Sequence, residues 1–169
     1  MNEKQLGEAI FNEPNLGTRL TLIVDVGRNN YTSLIPKLDT LARDESYVVR
    51  IHALRALILF MTSKPHLPLA FALLADDPES SVRIEAASCL GMMAMMVPET
   101  APDIAKRLSA ALRTESSGTV KNAIYGGIFQ MLRRDMSKLP RHLADSDVDW
   151  ELIAGLESGS LLQATPKKR

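Results

Sequence analysis

Several residues in this 169-residue chain have types and spacings that chemistry uses. Cys89 is the sole thiol, so no intrachain disulfide forms and any role for it is as a free thiol. His52, His66 and His142 fall in separate stretches with no Cys or carboxylate at metal-ligand spacing; a metal site needs converging ligands, so none is expected. Asp145-Ser146-Asp147-Val148-Asp149 begins like a calcium loop, but the required glycine position holds Trp150 and the final acidic position holds Leu156. Arg133, Arg134, Lys138 and Arg141, with His142, form a local basic concentration matched only by the tail Lys167-Lys168-Arg169. Such a cluster either contacts phosphate or sits solvated at a helix end, where positive charge complements the helix dipole. The solvated reading is preferred, and the four cations stand as candidate anion contacts. No Gly-x-Ser-x-Gly motif, phosphate-cradling loop or dinucleotide fingerprint occurs. The expectation is no catalytic residue, no metal and no cofactor.

Composition narrows the classes further. Twenty Lys and Arg face twenty Asp and Glu, so no general field draws the chain to nucleic acid or an anionic membrane. Hydrophobic residues at 46% against 24% charged supply a core, and the length suits one domain. The longest uncharged apolar run, Cys89 to Val97, is half of what a membrane span needs. Lone-cysteine usage and the lack of a signal peptide pattern lead us to expect a reducing, cytoplasmic setting.

The elements that would position these residues repeat. Val49, Val82 and Val120 head three aligned columns, followed by Arg50, Arg83 and Lys121, then Ala53, Ala86 and Ile124. Ala56, Cys89 and Gly127 come next, then Leu57, Leu90 and Ile128, and last Phe60, Met93 and Met131. Apolar offsets of 0, 4, 7, 8 and 11 trace one stripe of an α-helix. Stepping back from Val49 to Leu16 places Leu20, Ile23 and Val24 in the same columns, making a fourth copy. Cys89 therefore occupies a small-residue column and is read as a buried, inert thiol. By the same register Met93 and Met96 face the core and Met92 faces outward. A second amphipathic stretch precedes the later three of these helices: Leu34, Leu38 and Leu41; Leu67, Phe71 and Leu74; Ile104, Leu108 and Ala111. Polar turns join the two, at 43–46, 76–80 and 114–118, and Thr100-x-x-Asp103 reads as a capping box. Beyond Met136 the pattern stops. Residues 139–144 read as a short linker or helical turn, and Val148 to Leu156 as a last helix, with Trp150 the plug for the open end.

The columns resemble those of the HEAT repeat: a polar turn carrying Asp, then V-R-x-x-A-x-x-A-L-G-x-L. The best copy runs from Asp77 through Val82-Arg83-Ile84-Glu85-Ala86 to Leu90-Gly91-Met92-Met93. The resemblance is close over 31 to 134 and poor over 3 to 28, where Gly17 replaces the arginine and Glu13-Pro14-Asn15 replaces the acidic turn. It implies an all-α fold, a right-handed α-solenoid of about four helix pairs with a C-terminal capping helix. The expected organisation is one domain over 1–158, with repeats at about 3–28, 31–64, 66–98 and 101–136, a cap at 139–158 and a polar tail at 159–169. It also implies that Arg50, Arg83 and Lys121 pair with the acidic turns Asp44, Asp76 or Asp77, and Glu115 of neighbouring repeats.

HEAT arrays use the second helix of each pair to line a concave surface. In this register the columns outside the stripe hold Ile51, His52, Arg55 and Leu59; Ile84, Glu85, Ser88 and Met92; and Asn122, Ala123 and Gly126. A mixed surface with exposed Ile and Leu suits a protein more than a polyanion. The expected function is therefore non-enzymatic capture of a protein partner by an adaptor, regulator or inhibitory (immunity-type) module. Two rivals stand beside it: nucleic-acid binding through the 133–142 cluster, and an enzyme or accessory subunit, since some HEAT-like proteins resemble bilin lyases.

Overall fold

The computed structural model describes residues 2–163, and every regular element among them is helical. Four antiparallel pairs follow one another: α1 (Glu3–Asn12) with α2 (Leu16–Arg28), α3 (Ile35–Leu41) with α4 (Tyr47–Arg55), α5 (Leu67–Asp76) with α6 (Ser80–Met96), and α7 (Ala101–Thr114) with α8 (Gly118–Met131). Helix α9 (Trp150–Glu157) then packs on α7, and a last turn, α10 (Ser160–Gln163), folds back on α9. The tail expected from 159 thus opens with a helical turn, while Lys167-Lys168-Arg169 lie outside the described residues.

Local chemistry sets the ends. Asn2 and Gln5 cap α1 reciprocally, each side chain accepting from the other's backbone N–H. Asn15 accepts from Thr18 N–H at the start of α2, and Asp149 from Leu152 N–H at the start of α9. Helices α3, α5 and α7 each carry a proline in their first turn, Pro36, Pro68 and Pro102, where its missing N–H has no intrahelical partner to lose. The expected box at Thr100 does not form, because the Thr100 hydroxyl turns back to the Val97 carbonyl at 2.7 Å.

Successive second helices, α2, α4, α6 and α8, stack on one another and carry the core. Their crossings are made by residues without bulk. A Cβ on Gly91 would lie 2.4 Å from the Gly127 carbonyl oxygen, one on Gly127 would lie 2.6 Å from the Ala87 oxygen, and one on Gly27 would lie 2.8 Å from the Ala56 Cα. Backbone meets backbone there. Val49, Ala53, Leu57, Val82, Ala86, Leu90, Val120, Ile124 and Ile128 are all fully buried, as the column register requires.

Three apolar positions depart from that register. Helix α4 continues past Arg55 as a π-helical turn, Ala56–Phe60, in which Met61 N–H bonds to the Ala56 carbonyl five residues back at 3.0 Å. The wider turn shifts the face by about one residue, so Ile58 is buried and Phe60 is 38% exposed beneath the Arg28 guanidinium. Met96 is 42% exposed at the last residue of α6, whereas Met93 is buried. Leu16, the first residue of α2, is 47% exposed at the outer end of the first unit, which has no earlier repeat to pack against it. At the other end, Val148, Leu152, Ile153 and Leu156 close the stack. Trp150 is half-buried at the rim, its ring under the Arg113 guanidinium and its indole N–H on the Asp145 carbonyl. The plug is aliphatic because the terminal helix presents an i, i+3, i+4 face, and Trp150 falls beside it.

Two glycines separate close approach from mere flexibility. Gly127→Ala should lower stability in urea unfolding by about 2 kcal/mol or more, since its Cβ meets backbone that cannot give way. Gly118→Ala, in the first turn of α8 with nothing within 4 Å of the added carbon, should raise it by up to about 1 kcal/mol.

Candidate functional site

The basic column joins the repeats. Arg50 sits on α4 between two turns: its Nε and Nη2 donate to Asp77 Oδ2 and Oδ1, both at 2.8 Å, and its Nη1 donates to the Asp44 and Glu45 carbonyls of its own turn. Arg83 repeats the arrangement one unit on, donating to Glu115 at 3.0 Å and to the Asp77 carbonyl at 2.9 Å. Lys121 meets Asp145 at 2.8 Å, ahead of the cap. The first unit takes part as well. Arg19, two residues beyond the glycine that stands where the column wants arginine, donates to Asp44 at 3.0 Å and to the Ile10 carbonyl at 2.7 Å.

Each acid also closes its own turn. Asp44 accepts from Ser46 N–H, Asp77 from Glu79 N–H and Glu115 from Ser117 N–H. Burial differs along the ladder: the Arg50 and Asp77 side chains are 11% and 3% exposed, whereas Asp145 is 73% exposed. Asp77 drives the Arg50 guanidinium further toward its charged form, the hydrogen bond outweighing the penalty of burial. Burial by itself would raise the Glu115 carboxyl, but the Arg83 hydrogen bonds and the Ser117 N–H outweigh it and hold the group below the ordinary glutamate range.

Of the residues expected on the concave face, those on α4 (Ile51, His52, Arg55), in its π turn (Leu59), on α6 (Ile84, Glu85, Ser88, Met92) and at Asn122 and Ala123 on α8 are half-buried, whereas Gly126 is buried. Two of them are engaged with each other. Arg55 donates from Nε and Nη2 to Glu85 Oε1 and Oε2 at 2.7 and 2.6 Å, a bidentate pair that bridges α4 and α6 and cancels its own charge. Cys89 lies buried beside Glu85 at 3.6 Å. Burial first, and the neighbouring carboxylate second, push the thiol well above its ordinary range, so the thiolate does not form near neutral pH. His52 Nδ1 contacts the Val48 carbonyl at 2.8 Å.

Asn122 is engaged too, by the chain itself. Residues 139–144 form the expected linker rather than a helical turn, and they run along α8 from its C-terminal toward its N-terminal half. Leu139 and Met136 are the side chains a Cβ on Gly126 would meet, at 3.3 and 3.8 Å, and Asn122 Nδ2 donates to the Arg141 carbonyl at 3.1 Å. Lys121 then meets Asp145, and Asp149 N–H donates to Tyr125 Oη at 3.1 Å.

The basic cluster does not converge on a common point. Arg133, at φ +53°, donates to the Met95 carbonyl at 3.3 Å. Arg134 lies over the Phe129 ring and 3.9 Å from Asp149. Lys138 and Arg141 are exposed. In the calcium-like stretch Asp145 takes Lys121, Asp147 accepts from Ala144 N–H and Asp149 caps α9, so its carboxylates are each spoken for separately. Among the described residues no group of three or more His, Cys, Asp or Glu is placed to hold a metal, and no helix is long and apolar enough to cross a membrane.

Repeated helix pairs that bury their faces only against their neighbours, joined by an Arg-to-acid ladder, define an α-solenoid. The family of HEAT repeats matches the sequence twice, over residues 3–91 and 38–128, and the chain belongs to that family. Comparison with curated proteins and with solved structures gave no match. The arginine of the first unit was the joint the column reading missed; an Arg two positions late, followed 25 residues on by a turn aspartate, was the available signal.

Asp77→Ala strips a buried arginine of its carboxylate partner, leaving only the Asp44 and Glu45 carbonyls, and should lower unfolding free energy by about 3–5 kcal/mol, whereas Lys121→Ala at the solvated end should cost about 1 kcal/mol or less. Acid should loosen the Arg83 joint. Because the folded Glu115 value lies below the unfolded one, its contribution is complete above pH of about 4.3 and fades as pH falls through the folded value; melting curves of Glu115→Gln should lack that part of the acid loss.

Proposed function

We propose that this chain is a non-enzymatic binding module that holds a protein partner against the inner helices, as an adaptor, regulator or inhibitory protein in the cytoplasm. HEAT repeats in general mediate protein–protein interaction. The observation that carries the reading is the row of half-buried apolar side chains Ile51, Leu59, Ile84 and Met92 on neighbouring helices α4 and α6. The charged pair set among them, Arg55 with Glu85, satisfies itself. Such a row offers contact area to an apolar partner surface and no net charge to a phosphate backbone. His52 and Ser88 supply polar contacts at its edge, and Asn122 on α8 marks where the chain's own segment takes over.

The basic cluster supports the nucleic-acid alternative less well, because Arg133 and Arg134 are drawn to different partners within the fold. The enzyme alternative has a hydroxyl–imidazole contact to draw on, Ser63 Oγ with His66 Nδ1 at 2.8 Å and Asp39 Oδ1 3.8 Å from His66 Nε2, but that contact is local to the Lys64–His66 turn that leads into α5.

Ile51→Glu combined with Ile84→Glu should leave a cooperative melt within a few degrees of the parent, since a half-exposed glutamate reaches water from either site. The same pair should reduce capture of the native partner from lysate by at least about tenfold, a loss of about 1.4 kcal/mol. Equal capture by parent and variant would place the partner on another surface.

A further inference from the structure

The inner face of α8 is the one stretch of the proposed surface that something already covers. Its occupant is a piece of the same chain, Met136–Ala144, a 3-10 turn at Met136–Lys138 and then irregular backbone, running antiparallel to the helix with Leu139 over Gly126 and the Arg141 carbonyl on Asn122. Asn122, Gly126 and Gln130 are spaced four residues apart, so they form one row on that face. The fit leaves needs unmet. Asn122 Oδ1 and Gln130 Oε1 are both buried and both lack a hydrogen-bond donor among the described residues. The covering segment carries Pro140, which has no N–H, between the residue seated on Gly126 and the residue bonded to Asn122. A segment that meets a row containing two buried acceptors with a single hydrogen bond, and forms no regular structure from 139 to 144, is held weakly compared with the Arg50–Asp77 joint.

We propose that Met136–Ala144 is a built-in stand-in for the partner, and that an extended peptide takes its place on α8. The peptide has an aliphatic side chain to lie over Gly126 and free backbone N–H groups to meet Asn122 Oδ1 and Gln130 Oε1. The row continues onto α6, where Ile84, Ser88 and Met92 are half-buried, so a displacing segment extends across both helices. This deepens the protein-binding reading and rests on it, and it is tested without the native partner.

The probe is a synthetic nonapeptide of the 136–144 sequence carrying Pro140→Ala, fluorescently labelled and titrated into the full chain. The unmodified protein should bind it weakly, because the tethered segment competes at an effective concentration in the millimolar range. Leu139→Asp in the full chain, which ejects the tethered segment, should tighten binding at least about tenfold, and adding Asn122→Ala and Gln130→Ala should reverse the gain. Amide exchange on the unmodified chain gives a second reading: residues 139 and 141–144 should exchange at least about 100-fold faster than the α6 and α8 amides, through local opening. Exchange of that segment only with global unfolding, or peptide binding that ignores Leu139→Asp in a variant with a parental melt, overturns the proposal. Lost partner capture in the Ile51/Ile84 variant bears on the α4–α6 row alone, so the two readings fail separately.

Discussion

Backbone must touch backbone where the inner helices cross, and the shape of the stack depends on that approach. Gly91, Gly127 and Ala87 bring α6 and α8 together so tightly that one added carbon has no space, and Gly27 does the same for α2 against Ala56. The outer helices carry bulk instead. Between α5 and α7 an open groove of about 670 Å³ is lined by Phe71, Asp76, Lys106 and Arg107, with the Arg107 guanidinium over the Phe71 ring. The inner crossings are thus tighter than the outer one between α5 and α7, which is the asymmetry that the proposed concave face on α4, α6 and α8 requires.

Crossings by small residues slide, and a sliding stack has no unique register. The ladder removes that freedom. Each arginine reaches back to a carbonyl of its own unit and forward to the carboxylate of the next, and each of those carboxylates also closes a turn. A one-residue slip between units would leave a buried guanidinium facing apolar surface, which costs far more than the pair contributes over a hydrophobic substitute. The pairs therefore select one arrangement of neighbours, while the aliphatic stripes supply most of the stabilisation.

Periodicity alone made the stripes legible: offsets repeated in Val49, Val82 and Val120 identify the buried face whatever the partner helix is, because burial is read by position. What escaped depends on three-dimensional neighbours. The π turn after Arg55 has no compositional mark, yet it rotates Phe60 outward and Ile58 inward. Arg55 and Glu85 sit in surface columns of different units and read as two contact residues, until stacking places them within 2.6 Å of each other. Leu139 and Arg141 belong to no repeat. Their position along α8 is decided by Gly126, a residue whose missing side chain reads equally well as room for a neighbouring helix. Trp150 shows the opposite error, since size suggested a plug where helical phase gave that place to Ile153 and Leu156.

Charge balance on the inner face bears on how it would recognise anything. With Arg55 and Glu85 closed on each other, and with twenty cations matched by twenty anions over the chain, neither the face nor the molecule carries a net field to steer an approaching partner. Association with a neutral surface proceeds near the unsteered range of about 10⁵–10⁶ M⁻¹s⁻¹ and responds little to salt. For the proposed partner, discrimination would then rest on how long it stays, which depends on shape, on aliphatic contact at Ile51, Ile84 and Met92, and on whether buried acceptors find donors. A segment that seats its side chains but leaves Asn122 Oδ1 and Gln130 Oε1 unpaired leaves quickly; one that satisfies them stays. On the proposed binding face, selectivity would thus reside in a few unpaired atoms within an otherwise apolar contact.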